Sequence, residues 1–192
     1  MCFEKMFYEV KNLSCMVDVA PMHFGPMIKG AVTKMLVEKV QWSWIDHEAI
    51  EGFAVHAYVP DIGSYDLTKG KIDEDTGSVQ FNVKYNAIVM RPQEHDVFDA
   101  LVTGIEQTGV VCQYGPLYVF VPYSCLGDFK EYDAAGQWRQ EEPDADGVTE
   151  SIRLGSVIRV KATQVKKTTK GMDVFGTIEG DACGLIADPI DE

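Results

Sequence analysis

The clearest chemistry in this sequence is cationic. Between positions 153 and 170 stand Arg153, Arg159, Lys161, Lys166, Lys167 and Lys170 without a single acid, in a chain whose 30 acids and 17 bases give a net charge of −13. Alternation puts Ile158, Val160 and Ala162 on one side of a strand and Arg159 and Lys161 on the other, and places Lys166, Lys167 and Lys170 in the loop beyond it. Two readings stand side by side: a solvated face of a β-hairpin, or a run of contacts to the phosphates of a nucleic acid. The acidity of the whole chain repels nucleic acid at long range, which excludes a general DNA or RNA coat and makes any such contact local.

Catalytic and metal-binding patterns are not found. His23, His47, His56 and His95 are scattered, and no two share metal-ligand spacing with a cysteine or an acid. Asp73, Glu74 and Asp75 have the acidity of a calcium loop without its register of ligands and closing glutamate, so a solvated turn is expected. Glycine-rich phosphate loops, GxSxG elbows and nucleophile–base pairs are absent, and neither a catalytic residue nor a cofactor is predicted. Cys2, Cys15, Cys112, Cys125 and Cys183 are odd in number and never form a CxxC pair. That pattern argues against a disulfide framework or zinc knuckle and fits a reducing compartment. Asn12-Leu13-Ser14 matches a glycosylation acceptor by chance. No apolar run approaches the roughly 18 residues of a membrane span. The charged N-terminus, with Glu4, Lys5 and Glu9, predicts a soluble intracellular chain with no membrane partner.

The elements that would position these residues follow from periodicity. With 192 residues, 46% hydrophobic and 24% charged, the chain is that of an ordinary folded protein of two small domains. Residues 6 to 19 read as one long or two short strands. Pro21 and Phe24-Gly25-Pro26 interrupt them, and Pro26 suits the first position of a helix. Met27, Ile28, Ala31, Val32, Met35, Leu36 and Val40 then recur at helical spacing, which predicts an amphipathic helix of about 16 residues. A strand over 52 to 59 ends at Pro60, and a turn-rich loop runs from Asp61 to Asp75. Val79, Phe81, Val83, Tyr85, Ala87 and Val89 alternate with polar residues through the clearest strand of all. Arg91-Pro92-Gln93-Glu94 has the chemistry of a domain boundary.

The second half predicts strands only, over 97–105, 110–114, 117–121, 156–165 and 173–179, with Gly115-Pro116 as a tight turn. Five short strands with one long excursion match a five-stranded OB barrel. The excursion, 128–150, holds eight acids and two bases and reads as a mobile acidic loop. Trp42, Trp44, Phe53 and Tyr58 are more aromatic surface than the first domain needs for a core, so part of it is expected to face a partner.

In this order the pieces resemble the seventh-subunit family of RNA polymerase II, with its archaeal counterpart and polymerase I and III paralogues. The resemblance rests on Phe24-Gly25-Pro26, Thr76-Gly77, Phe81 to Val89, Arg91-Pro92, Gln113-Tyr114-Gly115-Pro116, Ile158-Arg159-Val160-Lys161, Phe175-Gly176-Thr177-Ile178 and Gly184-Leu185-Ile186. It implies a ribonucleoprotein-like tip domain over 1–92 and an S1-type OB domain over 93–192 with an acidic insertion at 128–150. It also implies a non-catalytic nuclear stalk subunit that pairs with the fourth subunit, docks on the core polymerase and touches single-stranded nascent RNA weakly. The alternatives are a free-standing S1-type factor in translation or RNA decay, and the equivalent subunit of RNA polymerase III.

Carried onto this chain, the resemblance makes His23, Phe24, Gly25 and Pro26, with Asp61, Lys69 and Lys71, the expected contacts to the core enzyme. Arg159, Lys161, Lys166, Lys167 and Lys170 become the expected RNA contacts, aided by Tyr114 and Tyr118. Strong S1 binders stack bases on aromatics around the glycine of the second strand, where this chain has Thr108, Gly109 and Val111, with Pro122 nearby. On that reading the stacking platform is missing and binding is left to charge.

Overall fold

The computed structural model describes residues 6–47, 50–60, 69–141, 149–168, 171–180 and 182–187. The chain divides into two compact units, Met1–Arg91 and Pro92–Glu192.

In the first unit, β1 (Phe7–Val19) leads through a 3₁₀ turn at Pro21–His23 to α1 (Ile28–Val40). β2 (Trp44–His47), β3 (Ile50–Tyr58), β4 (Lys71–Ile72) and β5 (Val79–Met90) follow. The strands form one antiparallel sheet in the order β1-β5-β3-β2, with β4 beside the start of β5. Val32, Leu36 and Val40, four residues apart, give α1 a narrow buried stripe. It packs into the core that Val10, Leu13 and Val17 of β1 share with Phe81, Val83, Tyr85 and Val89 of β5.

The helix is shorter than its sequence pattern predicts, 13 residues and roughly 20 Å at 1.5 Å per residue. Its start also differs. Pro26 lies in a turn closed by the Ile28 N–H on the Gly25 carbonyl at 3.1 Å, and Met27 points to solvent rather than continuing the apolar stripe. Fixing φ at Pro26 serves the turn and not the first helical turn.

β1 is a single strand with a bulge between Val10 and Leu13. Asn12 takes φ +62°, a conformation asparagine tolerates, and its N–H donates to Oδ1 of buried Asn86 at 3.1 Å. The Asn86 amide in turn donates to the Tyr58 hydroxyl, which donates to the Glu9 carboxylate. The bond from Tyr58 holds the Glu9 carboxyl below its usual value.

The second unit begins with β6 (Val97–Glu106), β7 (Gly109–Tyr114) and β8 (Leu117–Pro122), then β9 (Phe129–Tyr132), β10 (Trp138–Gln140) and β11 (Ser151–Ile152). β12 (Val157–Thr168), β13 (Gly171–Thr177) and β14 (Gly184–Ala187) complete it. β6 pairs with β7, β7 with β8, β8 with β13 in a parallel contact, β13 with β12, and β12 with β6 again. The ring closes on itself, a curled architecture compatible with an OB-type barrel. Alternation fills it with Phe98, Ala100, Val102, Val110, Cys112, Val119, Val121, Ile158, Val160 and Val174, all buried.

The excursion over 128–150 is not the loop that its acidity suggests. β9, β10 and β11 form a small antiparallel sheet, Phe129 and Trp138 are buried, and the Trp138 indole donates to the Glu106 carbonyl of β6 at 3.1 Å. Tyr132 packs edge-on against Trp138 at 5.3 Å. Two apolar anchors in strands of two to four residues are too short a pattern for periodicity to show. Residues 142–148 lie outside the described part of the chain.

One cysteine gives a direct test of this core. Burial pushes the Cys112 thiol up to about 12, whereas Cys15, Cys125 and Cys183 are partly exposed. Brief iodoacetamide treatment of the native protein at mildly alkaline pH, followed by peptide mass mapping, should label those three and spare Cys112. Labelling of Cys112 at the same rate would mean that the barrel opens readily.

Candidate nucleic-acid interface and tip surface

The residues singled out in the sequence fall into separate places, beginning with the exposed end of the first unit. Every residue from Pro21 to Met27 is exposed, and three of them are large and apolar: Met22 at 82%, Phe24 at 43% and Met27 at 84%. A Cβ built on Gly77 would lie 3.5 Å from the Pro21 ring, so the turn between β4 and β5 borders this loop. His23, Phe24, Gly25, Pro26 and Lys71 thus share one end of the unit. Lys69 is exposed just ahead of β4, and Asp61 lies outside the described residues. Sequence reasoning missed Met22, Met27 and exposed Ile72 here, because apolar residues beside a helical pattern look like core.

The aromatic surplus of the first unit is partly absorbed. Phe53 is buried with Trp44 edge-on to it at 5.1 Å, and Tyr58 is half-buried. Trp42, with φ +64°, is 49% exposed.

In the barrel, the predicted RNA contacts separate into two groups. Arg159 and Lys161 do point outward from β12, together with Tyr114, into a depression of about 770 Å³ that His95, Asp99 and Glu179 also line. There Arg159 is already engaged: its Nε and Nη2 donate to the two carboxylate oxygens of Asp99 at 2.6 and 3.0 Å. This fork-to-fork pair holds the Asp99 carboxyl below its usual value and raises Arg159 further. As a depressed carboxylate, Asp99 keeps the pair above its unfolded-state pKa and releases it only as the pH falls through the lower folded one. Tyr114 stacks on Phe98 at 5.3 Å, a packing role. Arg159 and Tyr114 thus each have a partner within the chain, Asp99 and Phe98, at the wall of the depression where the sequence reading expects RNA contact.

The second group lies on the β12–β13–β8 face. Lys166 and Lys167 are not in a loop, because β12 runs to Thr168 and pairs with β13 through both of them. Both are exposed, and Lys170 is outside the described residues. Lys166 sits over the Phe175 ring, 5.2 Å from its centre. Phe175 pairs in register with Phe120 of β8, the rings meeting edge to face at 6.3 Å. Tyr118, 60% exposed, is two residues before Phe120 on the same face. Asp173 stands between Lys166 and Tyr118 in the register and tempers the charge there.

Outward aromatics thus stand on this face, away from Thr108, Val111 and Pro122, where the sequence reading looked for a stacking platform. Phe120 and Phe175 are half-buried on the outer side of the barrel, and the alternation that places Phe120 there is plain in Leu117-Tyr118-Val119-Phe120-Val121, where the buried residues are 117, 119 and 121. Gly109 has another task, since a Cβ there would lie 2.2 Å from the Val121 carbonyl oxygen. Among the described residues no cluster of histidine, cysteine or acids forms that could hold a metal ion, and no helix is long and apolar enough to cross a membrane.

No family model matches the chain. Individual relatives do, and over nearly its whole length. The DNA-directed RNA polymerase II subunit RPB7 of Saccharomyces cerevisiae is 30% identical over 181 residues, covering 94% of this chain and 100% of the relative. The corresponding rpb7 of Dictyostelium discoideum is 30% identical over 186 residues, covering 94% and 99%. A paralogue, the RNA polymerase V subunit 7 of Arabidopsis thaliana, is 22% identical over 151 residues, covering 73% and 82%. A chain whose described residues are mostly β, matched over 94% of its length by two such relatives, is a component of a multi-subunit DNA-directed RNA polymerase. The chain belongs to the RNA polymerase II subunit 7 family.

Proposed function

We propose that this chain is a nuclear, non-catalytic stalk subunit of RNA polymerase II, built from a ribonucleoprotein-like tip domain (1–92) and an S1-type OB domain (93–192). In this reading the tip inserts into the core enzyme, a fourth subunit covers further surface of the chain, and the OB domain touches emerging RNA. The observation that carries it is the loop Pro21–Met27, with Met22, Phe24 and Met27 held out to water on the end of a rigid sheet. Apolar side chains so presented, rimmed by His23 and Lys71, are what a docking surface requires and a core does not. Exposed Trp42 offers a similar anchor for the heterodimer partner. Family membership speaks against a free-standing translation or decay factor; whether the polymerase is II or a paralogue is decided by which subunits co-purify.

The expected result of Phe24→Ala is release from the core enzyme on salt-washed affinity resin while the pair with the fourth subunit stays soluble. A central aromatic anchor is worth about 2 kcal/mol or more on truncation, roughly 30-fold in affinity. Full retention of the variant on the core would move docking to another surface.

A further inference from the structure

Both sheets of the second unit end at one groove, which shares Glu179, Gly180 and Cys183 with the rim of the depression beside Lys161 but contains none of the expected docking or RNA contacts. Among the described residues β9 is the outermost strand of the small sheet, pairing only with β10, and β14 is outermost on the barrel side, pairing only with β12. Between them lies a groove of about 610 Å³, floored by buried Leu126 and Ile178 and lined by the start of β9 and by Gly184 and Leu185 of β14. β14 attaches at Val157–Arg159, the opposite end of β12 from Lys166.

We propose that this groove is a docking site for an extended, lysine- or arginine-rich segment of a partner protein, which adds as a further strand along β14. Three observations carry it. A sheet edge presents peptide N–H and C=O groups that pair readily with another chain, and natural edges are usually blunted by lysine, proline or a bulge. β14 reads Gly-Leu-Ile-Ala and has neither lysine nor proline, and the register shift that skips Ile186 lies beyond Gly184 and Leu185, the two residues of the strand that line the groove. Second, the backbone there is bare: a Cβ built on Gly180 or Gly184 would meet nothing within 4 Å, so an incoming strand has room to approach.

Third, the charge selects the occupant. Asp128, Glu150 and Glu179 line the groove against one base, Lys130, whose ammonium is 3.6 Å from the Glu141 carboxylate. The acids favour a basic peptide and repel RNA, which separates this groove from the Lys166 face. Leu126 and Ile178 beneath give alternate side chains of the added strand an apolar seat.

The test titrates the full chain, by fluorescence anisotropy, with labelled hexapeptides of alternating lysine and valine, glutamate and valine, or lysine and glycine. The lysine–valine peptide should bind and the glutamate–valine peptide should not. The lysine–glycine peptide, equal in charge but a poor strand former, should bind at least about tenfold more weakly. Amide hydrogen exchange of residues 183–187 should slow in the lysine–valine complex. Asp128 and Glu179 are both exposed, so D128K/E179K leaves the fold intact and should weaken that complex about tenfold. Equal binding of the two lysine peptides, unchanged binding by the double variant, or unchanged exchange in β14 would each overturn the proposal.

Discussion

Gly109→Ala is expected to cost the second unit about 2–6 kcal/mol, the sum of roughly 1–3 for overpacking and roughly 1–3 for a strained backbone. At φ +153° the residue occupies a conformation that side chains rarely adopt. Its Cβ would also meet the Val121 carbonyl oxygen at 2.2 Å and Pro122 Cα at 2.9 Å. Neither neighbour can yield, because both are backbone of β8, paired with β7 across this very position. A domain stable by about 5–15 kcal/mol has little margin for such a loss. The informative control is Gly104→Ala on the facing strand β6, where the nearest contact would be Val111 Cβ at an ordinary 3.5 Å. Urea denaturation followed by tryptophan fluorescence should show a large drop in midpoint for the first variant and a small change for the second. Equal midpoints would mean that β7 and β8 are further apart than this packing requires.

That prediction draws on the structure, and the sequence shows why it had to. Long alternating runs announced themselves: β5 was legible from Val79 onward, and β6, β7, β8, β12 and β13 were placed within a few residues. Runs of two to four residues did not, so β2, β4, the β9–β11 sheet and β14 went unread, because so few residues cannot establish a period of two. Buried Trp138 is the instructive case. It sits among acids that look like solvated loop, and only its indole bond to β6 reveals an anchored sheet. The site was legible by composition and illegible by partner. Arg159 reads as a free cation until Asp99, sixty positions away in sequence and opposite it in the β6–β12 register, is brought beside it. Aromatics on alternate residues of β8 were visible, yet the decision between core and surface depended on which side of the barrel they faced.

These contacts change what RNA binding, on the proposed reading, should look like. Five bases on phosphate would give a log–log salt slope of roughly −3 to −4 at about 0.7 per contact for single strands. With Arg159 held by Asp99, the count of phosphate contacts falls to at most four and the predicted slope to no steeper than roughly −3 at the same 0.7 per contact. On the proposed reading exposed Tyr118, beside half-buried Phe120 and Phe175, adds stacking at about 1–3 kcal/mol per base, which tolerates salt. Tyr118→Ala is the cleanest probe, because the side chain is largely exposed and its loss leaves the barrel core untouched. It should weaken binding of labelled oligouridine to the full chain by about 5- to 100-fold and leave the salt slope unchanged. Lys166→Gln should do the reverse in kind, flattening the slope by roughly 0.7 with a smaller loss of affinity at moderate salt. An unaltered affinity in Tyr118→Ala combined with a slope near −4 would return the interface to charge alone and move the RNA path toward the depression beside Lys161. Losses in both variants that leave the slope near zero would remove phosphate contact from this face.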